Sequence, residues 1–253
     1  MIDLKDRTVL VTGGSRGIGA ACCRLFARAG AAVLVHYRAD EAAARALLAE
    51  LEGLSEGGPK HAVFRADLGR EEEIRALFAF AGERWGRLDC LVNNAGIWVE
   101  NRLPLLDTGR LRATLDLNVV APFLCAREAL PLLERSSDGS IVNVTSTAGQ
   151  RGEAAYSDYA ASKGALISAT KSWAMELAPA VRVNSVAPGW VDTDMTAAAL
   201  SGEGRTAALA GIPLRRVATG EDIAGPILFL ASPLARHVTG EILNVNGGSV
   251  LVG

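Results

Sequence analysis

The chain is poor in the residues that build metal and histidine-based sites. Its 253 residues hold three histidines, His36, His61 and His237. They are too scattered for a transition-metal site or a histidine-based hydrolase. Four cysteines, Cys22, Cys23, Cys90 and Cys125, make no Cys-x-x-Cys pair, and each lies in an apolar run. They read as buried thiols. No apolar run approaches the ~20 residues needed to span a bilayer, although hydrophobic residues make up 49% of the chain. That content is Ala-rich and broken by charge, the pattern of a buried α/β core. Neither sign of charge dominates: 26 Lys and Arg stand against 28 Asp and Glu, for a net charge of −2. The two signs are mixed along the chain, so nothing suggests a nucleic-acid groove. No basic-then-apolar segment opens the sequence, which enters a strand at once and points to the cytoplasm.

What is present is an alternation of strand-like and helix-like runs. Strands are predicted at 8–11, 32–37, 61–65, 88–92, 140–145, 181–186 and 241–245. Helices are predicted at 18–29, 40–52, 71–84, within 110–135, at 156–177 and at 221–231. Asp40 is the expected N-cap of the second helix, and residues 53–59 are read as a loop. Such alternation implies parallel strands joined by right-handed crossovers. The strands are short continuous apolar runs, as expected where helices cover both faces. No linker or internal repeat breaks the chain, so 1–253 is read as one domain. Residues 192–213, rich in Ala, Gly and Thr between two prolines, are expected either to form a mobile segment over a site or to be a plain surface excursion.

The first strand runs into Thr12-Gly-Gly-Ser15-Arg16-Gly17-Ile18-Gly19, which opens the first helix. Gly13, Gly17 and Gly19 allow a tight turn and the approach of a phosphate to bare backbone. The spacing is Gly-x-x-x-Gly-x-Gly, a variant of the usual dinucleotide fingerprint. At the end of the second strand an acid would favour NAD by bonding the adenine ribose. Here the sequence reads His36-Tyr37-Arg38-Ala39, and the first acid, Asp40, comes late. Arg16 and Arg38 stand where a 2′-phosphate would lie, which favours NADP(H) over NAD(H).

Tyr159 and Lys163 are four residues apart on a predicted helix and share one face, with Ser146 thirteen residues ahead of the tyrosine. A phenol beside an ammonium has its anion stabilised, so its pKa is expected to fall from about 10 toward working pH. It can then pass a proton to or from an alcohol or ketone oxygen, with Ser146 as a second hydrogen-bonding group.

Together these residues resemble the short-chain dehydrogenase/reductase family over nearly the whole chain. The turn from Thr12 to Gly19 is similar to the family's cofactor motif. Asp67-Leu68 resembles the pair at the adenine ring, and Asn93-Asn94-Ala95-Gly96 matches the family's Asn-Asn-Ala-Gly motif. Asn118 is similar to the helical Asn of a proton relay. Pro188-Gly189, with Val191 and Thr193, resembles the segment that holds the nicotinamide. Asn246-Gly-Gly248 resembles the C-terminal pattern, in which many members carry Asp at the first position; no catalytic effect is expected of the change.

The resemblance implies a doubly wound Rossmann-type α/β fold with a seven-stranded parallel sheet. It implies hydride transfer between a nicotinamide and a carbonyl or carbinol carbon. Tyr159 would be the acid in reduction and the base in oxidation, and Ser146 would polarise the substrate oxygen. Lys163 would lower the tyrosine pKa and bond the nicotinamide ribose. Asn118 would hold a water that links Lys163 to solvent. The alternative class is a cofactor-binding scaffold with little turnover.

The substrate is less legible. A 3-oxoacyl thioester or small ketone is expected, with a sugar or secondary alcohol as the alternative. Arg135 and Arg151 are candidates for gripping an acidic carrier protein. Yet the turn Leu177-Ala-Pro-Ala-Val181 lacks the arginine expected there in carrier-protein reductases. Trp98, Ala148, Gln150, Glu153, Tyr156 and Trp190 follow cofactor or catalytic motifs and are the candidate pocket residues. Two long helices with small residues, and the apolar tail 249–253, suggest a homotetramer.

Overall fold

A computed structural model describes residues 2–54 and 60–252. Strand β1 (Thr8–Val11) leads into α1 (Gly17–Arg28), β2 (Ala32–Tyr37), α2 (Glu41–Leu54) and β3 (Ala62–Arg65). Then come α3 (Glu71–Trp85), β4 (Cys90–Asn93), α4 (Thr108–Leu115), a π turn (Asp116–Val120) and α5 (Ala121–Leu133). The chain continues through β5 (Gly139–Val144), α6 (Ala148–Arg151), α7 (Ser157–Glu176) and β6 (Val181–Pro188). It ends with α8 (Gly202–Ala210), α9 (Gly220–Ala231) and β7 (Ile242–Val245). The strands form one parallel seven-stranded sheet in the order β3-β2-β1-β4-β5-β6-β7. This is the doubly wound α/β fold expected from the sequence.

The pleat sorts alternate side chains into two cores. Leu34, Leu10, Leu91, Ile141 and Val183 are register partners across five strands. They form one row that packs on α3, α5 and α7 through Leu77, Cys125, Leu166 and Trp173. The neighbouring row, Val35, Val11, Val92 and Val142, packs on α1 and α9 through Cys22, Phe26, Ile223 and Ile227. Burial on both faces explains why the strands read as continuous apolar runs rather than alternating ones. All four cysteines are buried free thiols. Burial pushes the Cys90 and Cys125 thiols up to about 12.

Element boundaries either match the expected ones, as for β1 and β2, or shift by one or two residues. Asp40 caps α2 as read: its Oδ1 accepts from Ala43 N at 2.9 Å. That helix continues through Gly53 and Leu54, which the sequence pattern places in the loop, and 55–59 lie outside the described residues. The helix within 110–135 is interrupted by the π turn, where Ala121 N donates to Asp116 O. Such turns often mark functional positions, and this one carries Asn118. The helix α6 was not expected. Residues 192–213 contain α8, whose Ala208 belongs to a small separate core with Leu200, Ile212 and Val217.

Candidate active site

The strand order reverses where β1 meets β4, and the crevice at that point lies beyond the carboxyl ends of the strands. The turn after β1 is shaped for close approach. Gly13 has φ +61°, and a Cβ on Gly19 would stand 2.3 Å from Gly13 O and 2.7 Å from Asn94 Nδ2. Asn94 braces this turn by donating to Thr12 O at 2.9 Å and Gly13 O at 3.1 Å. His36, from the second strand, accepts from Gly13 N at 2.9 Å and meets Ala66 O at 3.0 Å. Burial lowers the His36 pKa from 6.5 to about 4, so the ring is neutral and donates from Nε2 to Ala66 O. The first turn of α1 has no side-chain cap, so its backbone N–H groups remain for an anion.

These groups line a groove of about 360 Å³. Of the cofactor residues expected from the sequence, Gly13, Ser15, Arg16, Gly17, Ile18, Arg38, Leu68, Ala95, Gly96, Pro188, Gly189, Val191 and Thr193 line it. Three do not. Gly19 packs helix against turn, and Asp67 folds back to accept from Gly69 N at 3.0 Å. Asn93 is buried and donates to Asn143 Oδ1 at 2.9 Å, away from the groove. Residues not anticipated, among them Tyr37, Ile97, Leu117 and Met195, complete the lining. They are apolar or aromatic residues, Tyr37 at the end of β2 and the others on loops and turns, and no local motif marks them. Arg38 is exposed, and Arg16 Nη1 sits 3.6 Å from Asp194 Oδ2 in an open surface pair.

Ser146 follows β5, and α7 supplies Tyr159 and Lys163 from one face. The segment between them packs closely: a Cβ on Gly149 would stand 2.6 Å from Gly164 N and from Lys163 C. The Ser146 hydroxyl accepts from Ala148 N at 3.1 Å and lines the same groove as Tyr159, whose pKa it acts to lower. Lys163 is buried and donates to Val144 O at 2.8 Å, with Nζ 5.8 Å from the Tyr159 ring centre. Asn118 is fully buried. Its Oδ1 accepts from Ile97 N at 2.9 Å, and its Nδ2 donates to Ile97 O at 2.9 Å and Ser162 Oγ at 3.1 Å. It therefore ties the loop after β4 to α7 beside Lys163.

The lowered tyrosine pKa expected from the sequence is not what the structure gives. Burial pushes Tyr159 up to about 12, against the lowering effect of Ser146, and the nearby Glu153 carboxylate adds to the rise. Lys163 is moved the other way, down to about 8, because burial disfavours its ammonium. Desolvation is the leading cause of both shifts.

A second cavity of about 310 Å³ opens on the other side of Tyr159. Trp98, Ala148, Glu153 and Trp190 line it as expected, together with Arg151, Ala207, Ala208 and Ile212. Gln150 is turned away and donates to Asn244 Oδ1 at 2.7 Å. Tyr156 does not line the cavity; it stacks behind Trp98 with ring centres 4.3 Å apart. Trp190 stands edge-on to Trp98 at 6.0 Å. Arg135, a candidate for gripping a carrier, lies just before β5 at the opposite end of the sheet, where Nη1 donates to Gly86 O at 2.8 Å. Only Arg151 of the two candidates is at the site.

Residues 13–249 match the family described as Enoyl-(Acyl carrier protein) reductase. A 3-oxoacyl-[acyl-carrier-protein] reductase of Synechocystis is 39% identical over 99% of this chain and 100% of its own. A Vibrio cholerae protein with the same name is 38% identical, again over 99% and 100%. A solved Brucella melitensis structure titled as a short-chain dehydrogenase/reductase, glucose/ribitol dehydrogenase, is 34% identical. It superposes with a TM-score of 0.93 over 99% of each chain. The chain belongs to the short-chain dehydrogenase/reductase family.

Membership makes the protein a nicotinamide-dependent oxidoreductase acting on C=O or CH–OH. The groove fits that cofactor on its own evidence: an uncapped helix start, a glycine turn that excludes side chains, and lining that continues to Tyr159 and Lys163. Among the described residues no cluster of three or more His, Cys, Asp or Glu could hold a metal ion, and no helix is long and apolar enough to cross a membrane.

Proposed function

We propose that the protein is an NADP(H)-dependent ketone reductase whose substrate is a small ketone or 3-oxoacyl thioester. The observation that carries this reading is that Ser146 and Tyr159 line both the groove and the second cavity. Two hydroxyls thus stand where a cofactor site and a substrate site meet. When bound, the nicotinamide supplies the hydride. Tyr159 holds a proton to above neutral pH and gives it to the substrate oxygen, while Ser146 donates a second hydrogen bond to that oxygen as charge develops. A phenol held protonated can serve as the acid when a carbonyl is reduced.

Lys163, anchored on Val144 O, keeps a positive charge near the phenol below about pH 8. It also reaches the groove where a ribose would lie. Asn118 holds the Ile97 loop in place rather than offering its side chain to solvent, so its part is positioning. Arg16 and Arg38 provide the charge for a 2′-phosphate, and the open Arg16–Asp194 pair is weak enough for a phosphate to displace. Residues 192–213 act as a cover, since α8 contributes Ala207 and Ala208 to the second cavity.

The relatives named as carrier-protein reductases support the thioester reading. The Glu153 carboxylate in the second cavity and the relative titled glucose/ribitol dehydrogenase favour a second one, oxidation of a sugar or secondary alcohol. Four free buried thiols suit the cytoplasm. Exposed Phe123 and Met175 on α5 and α7, and Leu251 in the tail, support a homotetramer; a monomeric mass at micromolar concentration would contradict it.

The test is to titrate NADPH and NADH by fluorescence and then follow their oxidation with a ketone panel. Tighter NADPH binding, and turnover that Tyr159→Phe lowers at least a hundredfold with cofactor binding kept, is the expected result. Unchanged turnover in that variant would overturn the mechanism.

A further inference from the structure

Glu153 is a carboxylate in the wall of the reaction cavity, and the fold does little to neutralise it. Its Oε2 accepts from Trp98 Nε1 at 3.3 Å. Among the described residues no ion pair reaches it, and no second side-chain hydrogen bond does. An ionised carboxylate has room for about four donors. Half-burying one with a single indole partner is costly unless something else completes it. Burial indeed raises its pKa.

The chain nonetheless holds Glu153 firmly in this place. Tyr156 N donates to Glu153 O at 3.2 Å, and Asn101 N donates to Ala155 O at 2.8 Å. Ala155 has φ +68°, a left-handed conformation that strains a residue with a Cβ. The indole that bonds Glu153 is itself fixed by stacking on Tyr156. Strain, stacking and backbone bonds converge on one carboxylate beside the catalytic phenol.

We propose that Glu153 is a specificity-determining residue that accepts a hydrogen bond from a hydroxyl on the substrate near its reacting carbonyl. The favoured substrate class is then the hydroxy ketone, or the vicinal diol in the reverse direction. The same carboxylate repels an anionic group at that position. Arg151, which lines the same cavity, makes an ammonium there less favourable than a neutral hydroxyl. The flat face of Trp98 suits the carbon skeleton that carries the hydroxyl. This inference rests on the ketone-reductase reading and narrows it.

The test uses two ketones of nearly equal shape, 2-hydroxycyclohexanone and 2-methylcyclohexanone, with the full chain and NADPH. A hydrogen bond to a charged acceptor should give the hydroxy ketone about a tenfold to hundredfold advantage in kcat/KM. Glu153→Leu should abolish the preference, bringing the ratio of kcat/KM for the two ketones to about one whatever the change in their common rate. Glu153→Gln, whose amide oxygen still accepts, should keep part of the preference. An unaltered protein that prefers neither ketone, or that reduces neither, overturns the proposal. So does a Glu153→Leu variant that slows both equally, since that is the mark of a structural role. If other ketones in the panel are reduced while this pair is not, the reductase reading stands and only the role of Glu153 falls. If no ketone is reduced, both fall.

Discussion

His36 links acid stability to the cofactor groove. In its neutral form the ring accepts from Gly13 N at Nδ1 and donates to Ala66 O from Nε2. A second proton would go onto Nδ1, against a backbone N–H with no room to turn. Burial holds the folded pKa at about 4, against 6.5 for the free side chain. Between those values the unfolded chain binds more protons than the folded one. The stability owed to neutral His36 is therefore complete above about pH 6.5 and is lost as pH falls toward 4. The gap corresponds to roughly 3 kcal/mol.

Urea unfolding at pH 7 and pH 4 measures this, provided the contribution of other acids is subtracted. His36→Asn serves as the reference, because its amide oxygen can accept from Gly13 and does not titrate. The unaltered protein should lose about 3 kcal/mol more than the variant across that range. His61, whose pKa burial also lowers, is common to both proteins and cancels in the difference. Parallel losses in the two proteins would refute the argument.

Three further outcomes follow from the packing. Gly19→Ala places a Cβ 2.3 Å from Gly13 O, so NADPH affinity should fall at least about tenfold, read by fluorescence titration. Leu91→Ala removes a fully buried side chain from the middle of the sheet and should cost about 3 kcal/mol in urea unfolding. The four thiols should resist Ellman's reagent in the folded protein and all react after unfolding, and rapid labelling of the native chain would contradict their burial.

The strands were legible because each is a short apolar run between turn residues, and the parallel sheet followed from their alternation with helices. The Tyr159–Lys163 pair and the glycine turn were legible for a related reason, whereas Asn118 came only from the family resemblance. Tyr159 and Lys163 lie one helical turn apart, and the glycine turn sits within a few residues of its strand, so their geometry is local. The misplaced residues are those whose direction depends on a distant partner. Gln150 faces Asn244, Asn93 faces Asn143, and Tyr156 faces the back of Trp98. His36 was noted only for what it was not, an acid at the end of β2. Its bonds to Gly13 and Ala66 join three segments that no local pattern connects.

Sequence alone determined the fold class, the order of its motifs and the placing of Tyr159 and Lys163 on one helix face, because periodicity and short spacing fix neighbours along one element. Tertiary structure decided the rest. It put Ser146 and Tyr159 at the junction of two cavities and left Arg135 at the far end of the sheet. It also reversed the expected pKa of Tyr159, because the cost of burying a charge depends on everything packed around it.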